Sequence, residues 1–155
     1  MKRKVFYSFH FDNDVMRVHQ IRNMGILDGD EPANPNTWEQ IKRSEQGVKN
    51  WIDKNLHGKS CLVVLIGSQT ANRPWVKYEI QRAWELGKAV VGVHIHRLNC
   101  PQNGFGTKGA NPFDQFTFQR NNQIIKPLIY EPSYSNAYGD IKDNLAIWIE
   151  NAIKH

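Results

Sequence analysis

The sequence predicts an α/β protein, a flavodoxin-like three-layer sandwich around a central parallel sheet of about five strands. Two uninterrupted apolar runs, SCLVVLIG (60–67) and KAVVGVHI (88–95), have the composition of strands covered on both faces. Segments with apolar residues at helical spacing alternate with them along the chain. No segment repeats, and 155 residues suit a single domain, 1–155, with room for a real core.

Each element follows in turn. KVFYSF (4–9) is aromatic and β-branched and reads as the first strand. Val15, Val18 and Ile21 share one face of a helix over 14–24. GILDGDEPANPNT (25–37) gathers turn residues and reads as a long loop. Residues 37–59 are helical or helix-loop-helix, with Ile41, Val48, Ile52 and Leu56 at helical intervals and Gly58 as the stop. After the 60–67 strand, Asn72 is placed to cap a helix that carries Pro74 in its first turn and ends at Gly87. Residues 97–123 form a polar loop too long for an ordinary connection. QIIKPLIY (123–130) is an edge strand marked by Pro127. The last helix shares Ile141, Leu145, Trp148, Ile149 and Ala152 on one face, with Asp140 as its cap. Trp51 and Trp148 are expected in the core.

Composition excludes several classes. Hydrophobic residues make up 40% of the chain and charged residues 23%, as in ordinary soluble proteins. No apolar run approaches the ~20 residues a membrane helix needs, and the start MKRKVFYSF has no signal-peptide core. A cytoplasmic location without membrane attachment is expected. The net charge of +5 suits an anionic partner such as a nucleotide. The basic residues are scattered without a recognisable nucleic-acid motif, so no nucleic-acid partner is expected. Cys61 opens an apolar run and reads as a buried small hydrophobe, and it makes no CxxC pair with Cys100.

In such sheets ligands bind beyond the carboxyl ends of the strands, where strand order reverses. That directs attention to 8–14, 67–79, 96–114 and the turn near 36–39. A dinucleotide or flavodoxin-type loop needs glycine after the first strand, but the chain reads SFHFDND there. A phosphoacceptor Asp is absent from the end of CLVVLIGSQT, which leaves Asp12 and Asp14 as ordinary loop residues.

The helix NRPWVKYEIQRAWELGK holds the main candidates. Trp75 and Glu79 lie one turn apart on a stripe bordering the apolar face of Val76, Ile80 and Ala83. The helix dipole at that end favours an ionised carboxylate. The bland alternative makes Trp75 a lid on the core and Glu79 a solvated acid paired with Arg82 or Arg73. Glu85 faces away from Glu79. Glu39 stands at the start of the second helix, as a cap-proximal acid or a partner to the site. His94 and His96 alternate along a strand end and, with His10, imitate a metal site. Packed histidines are the commoner outcome, and no metal is expected.

With these residues in place, the chain resembles the TIR-domain family, most closely its ThsB-like bacterial members of the Thoeris anti-phage system. The matching words are KVFYSFH, IRN (21–23), WE (38–39), CLVVLIGSQT, RPWVKYEI, KAVVGVHI and GANPFD, in the same order over residues 4–114. The resemblance implies a TIR-like domain with NAD⁺ glycohydrolase/cyclase activity. It implies NAD⁺ as substrate with no further cofactor, and an ADP-ribose-derived, cyclic product that activates an effector protein. Self-association is also implied. Carried across, Glu79 is the catalytic residue and Trp75 the aromatic one turn before it. Ser8, Phe9 and His10 at the end of the first strand line the nucleotide pocket, and Asn111 with Pro112 and Phe113 either shapes its rim or simply forms a turn.

The chemistry is consistent with one acid. Nicotinamide leaves NAD⁺ as a neutral molecule, so no second carboxylate is needed to protonate it, unlike most glycosidases. One carboxylate can orient the ribose and steady an oxocarbenium-like centre, while an apolar wall excludes water. Two other readings stay open. One is a non-enzymatic TIR-like module that binds nucleotide or protein, and the other an enzyme acting on free deoxynucleosides.

Overall fold

The structure, a computed structural model, describes residues 2–29, 41, 43–100 and 104–155. In chain order its strands are β1 Lys4–Ser8, β2 Asp28–Gly29, β3 Cys61–Ile66, β4 Ala89–His94, β5 Phe118–Arg120, β6 Gln123–Ile125 and β7 Leu128–Tyr130. Four α-helices are described: α1 Phe11–Asn23, α2 Glu45–Leu56, α3 Pro74–Glu85 and α4 Ala137–Lys154. The main sheet has five strands in the order β2-β1-β3-β4-β7, all parallel. This is the expected flavodoxin-like architecture.

The side-chain period of two along a strand divides the core cleanly. Val5, Tyr7, Cys61, Val63, Leu65, Val91 and Val93 face one way and meet Val18 and Ile21 of α1 and Ile141, Leu145 and Ile149 of α4. Phe6, Leu62, Val64, Ile66 and Val90 face the other way and meet Val48, Ile52 and Leu56 of α2 and Val76, Ile80 and Ala83 of α3. β3 is buried along its whole length because helices cover both its faces.

Helix ends follow local chemistry. Ser44 caps α2 by accepting from the Gly47 amide at 2.9 Å. Gly58 and Gly87 take left-handed φ values of 79° and 78° just beyond α2 and α3, as C-terminal stops do. Cys61 and Cys100 are buried free thiols. Burial pushes the Cys61 thiol up to about 12.

Several expectations are corrected. α1 begins at Phe11 rather than 14, and its buried stripe is Asp14, Arg17, Val18 and Ile21, with Val15 half-buried. Asp14 is therefore a helical, fully buried residue and not part of a loop. The 25–37 segment contains β2, whose Asp28 amide donates to the Arg3 carbonyl at 2.9 Å. Positions 30–37, the turn near 36–39 and Glu39 lie outside the described residues. Asn72 is exposed and does not cap α3, whose N-cap is Arg73 with no side-chain capping bond. α4 is capped by Asn136, which accepts from Gly139 at 3.0 Å. Asp140 sits too far into the helix for that role and accepts from Ser133 at 2.7 Å instead.

The 123–130 strand is two strands. Pro127 has no amide to donate and divides β6 from β7. Asn121 and Asn122, both left-handed at 53° and 64°, turn the chain so that β6 pairs antiparallel with β5. The 97–123 segment consequently holds a strand and a 3-10 turn at Pro112–Gln115. Trp51 and Trp148 lie at the margins of the core, half-buried, edge-on to Phe6 and stacked on Tyr130 respectively. Among the described residues no helix is long and apolar enough to cross a membrane.

Candidate active site

Strand order reverses between β1 and β3, since the chain leaves β1 for β2 on one side and returns to β3 on the other. At this crevice the Ser8 hydroxyl, the last side chain of β1, donates to Glu79 Oε1 at 2.7 Å. Ser8 is fully buried and Glu79 retains only 8% exposure. The alternating pattern that sends Phe6 toward α3 sends Ser8 the same way. On α3, Glu79 joins Val76, Ile80 and Ala83 on the buried side. It therefore lies deeper than the border position expected.

Glu79 is not a solvated acid. Arg82 is engaged with Asp53 at 3.0 Å and Glu85 at 3.3 Å, and Arg73 donates to Gln69. Glu85 is exposed, as expected. Loss of water pushes the Glu79 carboxyl up to about 8, and the Ser8 hydrogen bond offsets only part of that rise. That rise favours the protonated form at neutral pH, contrary to the expected ionised state. The reason lies in its position: Glu79 sits in the second turn of α3, and the dipole effect fades within the first.

The remaining candidates make contacts of their own. Phe9 is half-buried and stacks with Phe11 at 6.2 Å. His10 is half-buried, and its carbonyl accepts from the Asp14 amide at 2.9 Å to open α1. Trp75 is half-buried, packs against the core beside Val76 and Ile80, and meets Tyr78 edge-on at 5.8 Å. Asn111 accepts from the Phe113 amide at 2.8 Å, so its carboxamide oxygen caps the 3-10 turn. Phe113 is buried and fills the space above Gly92 that a side chain there would occupy.

His94 and His96 are both buried, edge-on at 5.7 Å. Desolvation lowers both imidazole pKa values, so they sit neutral. Among the described residues no group of three or more His, Cys, Asp or Glu is arranged to hold a metal ion.

Two features escaped the sequence reading. Asp14 and Arg17 form a buried ion pair at 3.0 Å, with side chains 0% and 3% exposed. A three-residue spacing between opposite charges beside Val18 and Ile21 was the available signal. The second is the backbone approach of Gly109 to the turn after β3, where a Cβ would collide with the Gly67 carbonyl. Gln115 Nε2 reinforces this contact by donating to the Ala71 carbonyl at 2.8 Å. The loop ahead of β5 is thereby laid against the β3–α3 turn.

The chain is also similar to known proteins. The family described as "Thoeris protein ThsB, TIR-like domain" matches residues 6–100, a span that holds Ser8, Trp75 and Glu79. Over 137 residues the chain is 34% identical to a protein of Bacillus cereus (strain MSX-D12) named "Putative cyclic ADP-D-ribose synthase ThsB1". That alignment takes in 84% of this chain and 71% of the relative. A family match over more than half the chain, and a likeness that runs on through most of the rest, lead to one conclusion: the chain belongs to the ThsB TIR-like domain family.

Proposed function

We propose that this protein, as one domain, cleaves the nicotinamide–ribose bond of NAD⁺ with Glu79 as the catalytic residue and closes the ADP-ribosyl product into a cyclic isomer. The observation that carries the reading is the Ser8–Glu79 pair, a desolvated carboxyl held in one orientation at the switch point of the sheet. The name of the Bacillus cereus relative, a cyclic ADP-D-ribose synthase, supports the same chemistry.

The raised pKa of Glu79 fits a cationic substrate. An acid that rests protonated is cheap to keep in a dry cleft. A pyridinium ribose brought against it favours the ionised form, so binding expels the proton and creates the charge where it is needed. The bond from ribose C1′ to nicotinamide then breaks, with its electron pair neutralising the departing ring. Glu79 steadies the sugar cation, and an adenine nitrogen or ribose hydroxyl of the same molecule captures it with release of a proton. Trp75 and Phe9 supply apolar walls against water, His10 faces the pyrophosphate and Asn111 shapes the rim. The product signals to an effector protein in anti-phage defence in the cytoplasm, and the enzyme works as a self-assembled form.

The test is incubation of purified protein with NAD⁺, following nicotinamide release and identifying the nucleotide product by mass and chromatography. Glu79→Gln should lower kcat by at least about 10²–10³, the scale for losing one group that stabilises transition-state charge. Turnover that survives this substitution removes the assignment. Binding without turnover under assembling conditions points instead to an interaction module.

A further inference from the structure

We propose that Asp14 and Arg17 are positioning residues that hold the 104–111 segment in place as the roof of the nucleotide cleft; the proposal rests on the reading of Glu79 as the carboxylate that meets NAD⁺.

Arg17 is 2% exposed and spends its guanidinium in three directions. Nη1 donates to Asp14 Oδ1 at 3.0 Å, Nε to the Leu98 carbonyl at 2.9 Å, and Nη2 to the Gly104 carbonyl at 2.8 Å. The planar fork of donors makes such a three-way junction, which a lysine ammonium cannot reproduce. Leu98 and Gly104 bracket the chain that leaves β4. Beyond Gly104, the Gly106 amide donates to the His96 carbonyl at 2.8 Å. Three residues on, Gly109 lies against the Gly67 carbonyl and Ser68.

Asp14 reaches the same junction from the other side. Its Oδ1 takes the Arg17 bond and one from Asn13 Nδ2 at 3.1 Å. Its Oδ2 is buried, has no hydrogen-bond partner among the described residues, and lies where a Gly67 side chain would begin. Two charges have thus been taken out of water beside the switch point. Such a pair seldom adds stability over well-packed apolar residues, so placement is the better account of what it does. It joins α1, which grows directly from Ser8, Phe9 and His10, to the turn before α3 and to the segment above both. Moving any one of these displaces the cleft around Glu79.

The experiment pairs two variants with two readouts. Arg17→Lys keeps the charge beside Asp14 but gives up the fork, and the double variant Asp14→Leu with Arg17→Met removes both charges together. Amide hydrogen exchange of peptides covering 104–111 reports the roof without reference to catalysis. Steady-state NAD⁺ cleavage reports the cleft. Exchange at 104–111 should rise at least tenfold in both folded variants, with smaller changes in β3 and α4. The value of kcat/KM should fall about ten- to hundredfold, the scale of a small misplacement of reacting groups. Unchanged exchange in the folded variants, or wild-type kcat/KM alongside a mobile roof, overturns the proposal. Failure of both variants to fold also overturns it, because the pair is then a support of the fold. A wild-type protein that never cleaves NAD⁺ sinks the functional reading instead, and leaves the exchange result to decide whether the roof is held this way.

Discussion

The two ends of the sheet treat polar groups in opposite ways. At the carboxyl end lie Ser8, Asp14, Arg17, Thr70, Glu79, His94 and His96, which are all of the buried polar or charged side chains among the described residues. At the amino end Lys2, Arg3 and Lys4 stand exposed around an open hollow of ≈ 550 Å³ that Leu27, Asp28, Gly58 and Ser60 complete. The charges there keep their water, and Arg3 meets Glu150 at 2.7 Å on the surface. Desolvating a polar group costs free energy unless it finds a partner. The fold accepts that cost at one end only.

The largest test of this contrast removes one guanidinium from each end. Arg17→Met leaves the Asp14 carboxylate buried without its countercharge, and urea unfolding should give a loss of about 3–5 kcal/mol. Arg3→Met should leave the midpoint within experimental error, since an exposed pair is screened by solvent. Equal losses at the two ends would erase the distinction.

Proton linkage offers a second test. The Glu79 pKa is raised to about 8 in the folded protein, above its ordinary value of 4.5. Its stabilising contribution is then fully present below 4.5 and lost as pH rises toward 8, because the unfolded chain releases its proton first. At ~1.4 kcal/mol per pKa unit the decline amounts to a few kcal/mol. His94 and His96 act in the opposite sense: their lowered pKa values cost stability as pH falls through the ordinary histidine range near 6.5. Comparing wild type with Glu79→Gln cancels the histidines. The wild type should lose stability relative to the variant between about pH 5 and 8, and a constant difference would mean that the carboxyl is ionised throughout.

How much of this was legible depended on whether the signal was local. β3 and β4 announce themselves because a strand covered on both faces is apolar at every position. Glu79 is legible through the sequence around it, one turn after Trp75 in a helix that follows a buried strand. Its protonation is not, because that depends on depth of burial and on a place in the second turn. Asp14 and Arg17 are harder still. Each alone looks like a solvated charge, and only folding brings the Leu98 and Gly104 carbonyls that make their burial tolerable. The β5–β6 hairpin could have been read from Asn121–Asn122, a pair suited to a tight turn, and the division of 123–130 from Pro127, which has no amide to donate.

The smallest predicted effect lies inside the site and separates orientation from charge. The Ser8 hydroxyl donates to Glu79 and is the one influence that lowers its pKa against the desolvation that raises it. Ser8→Ala removes that donor with little change in volume. A hydrogen bond to a charged group is worth about 1.5–3 kcal/mol, so the Glu79 pKa should climb by about one to two units. The pH profile of kcat/KM reports the free enzyme. Its alkaline-rising limb should accordingly shift toward higher pH, with kcat at high pH reduced by a smaller factor than in Glu79→Gln. A profile that stays in place would show that another group sets it, and that the carboxyl end holds Ser8 for packing alone.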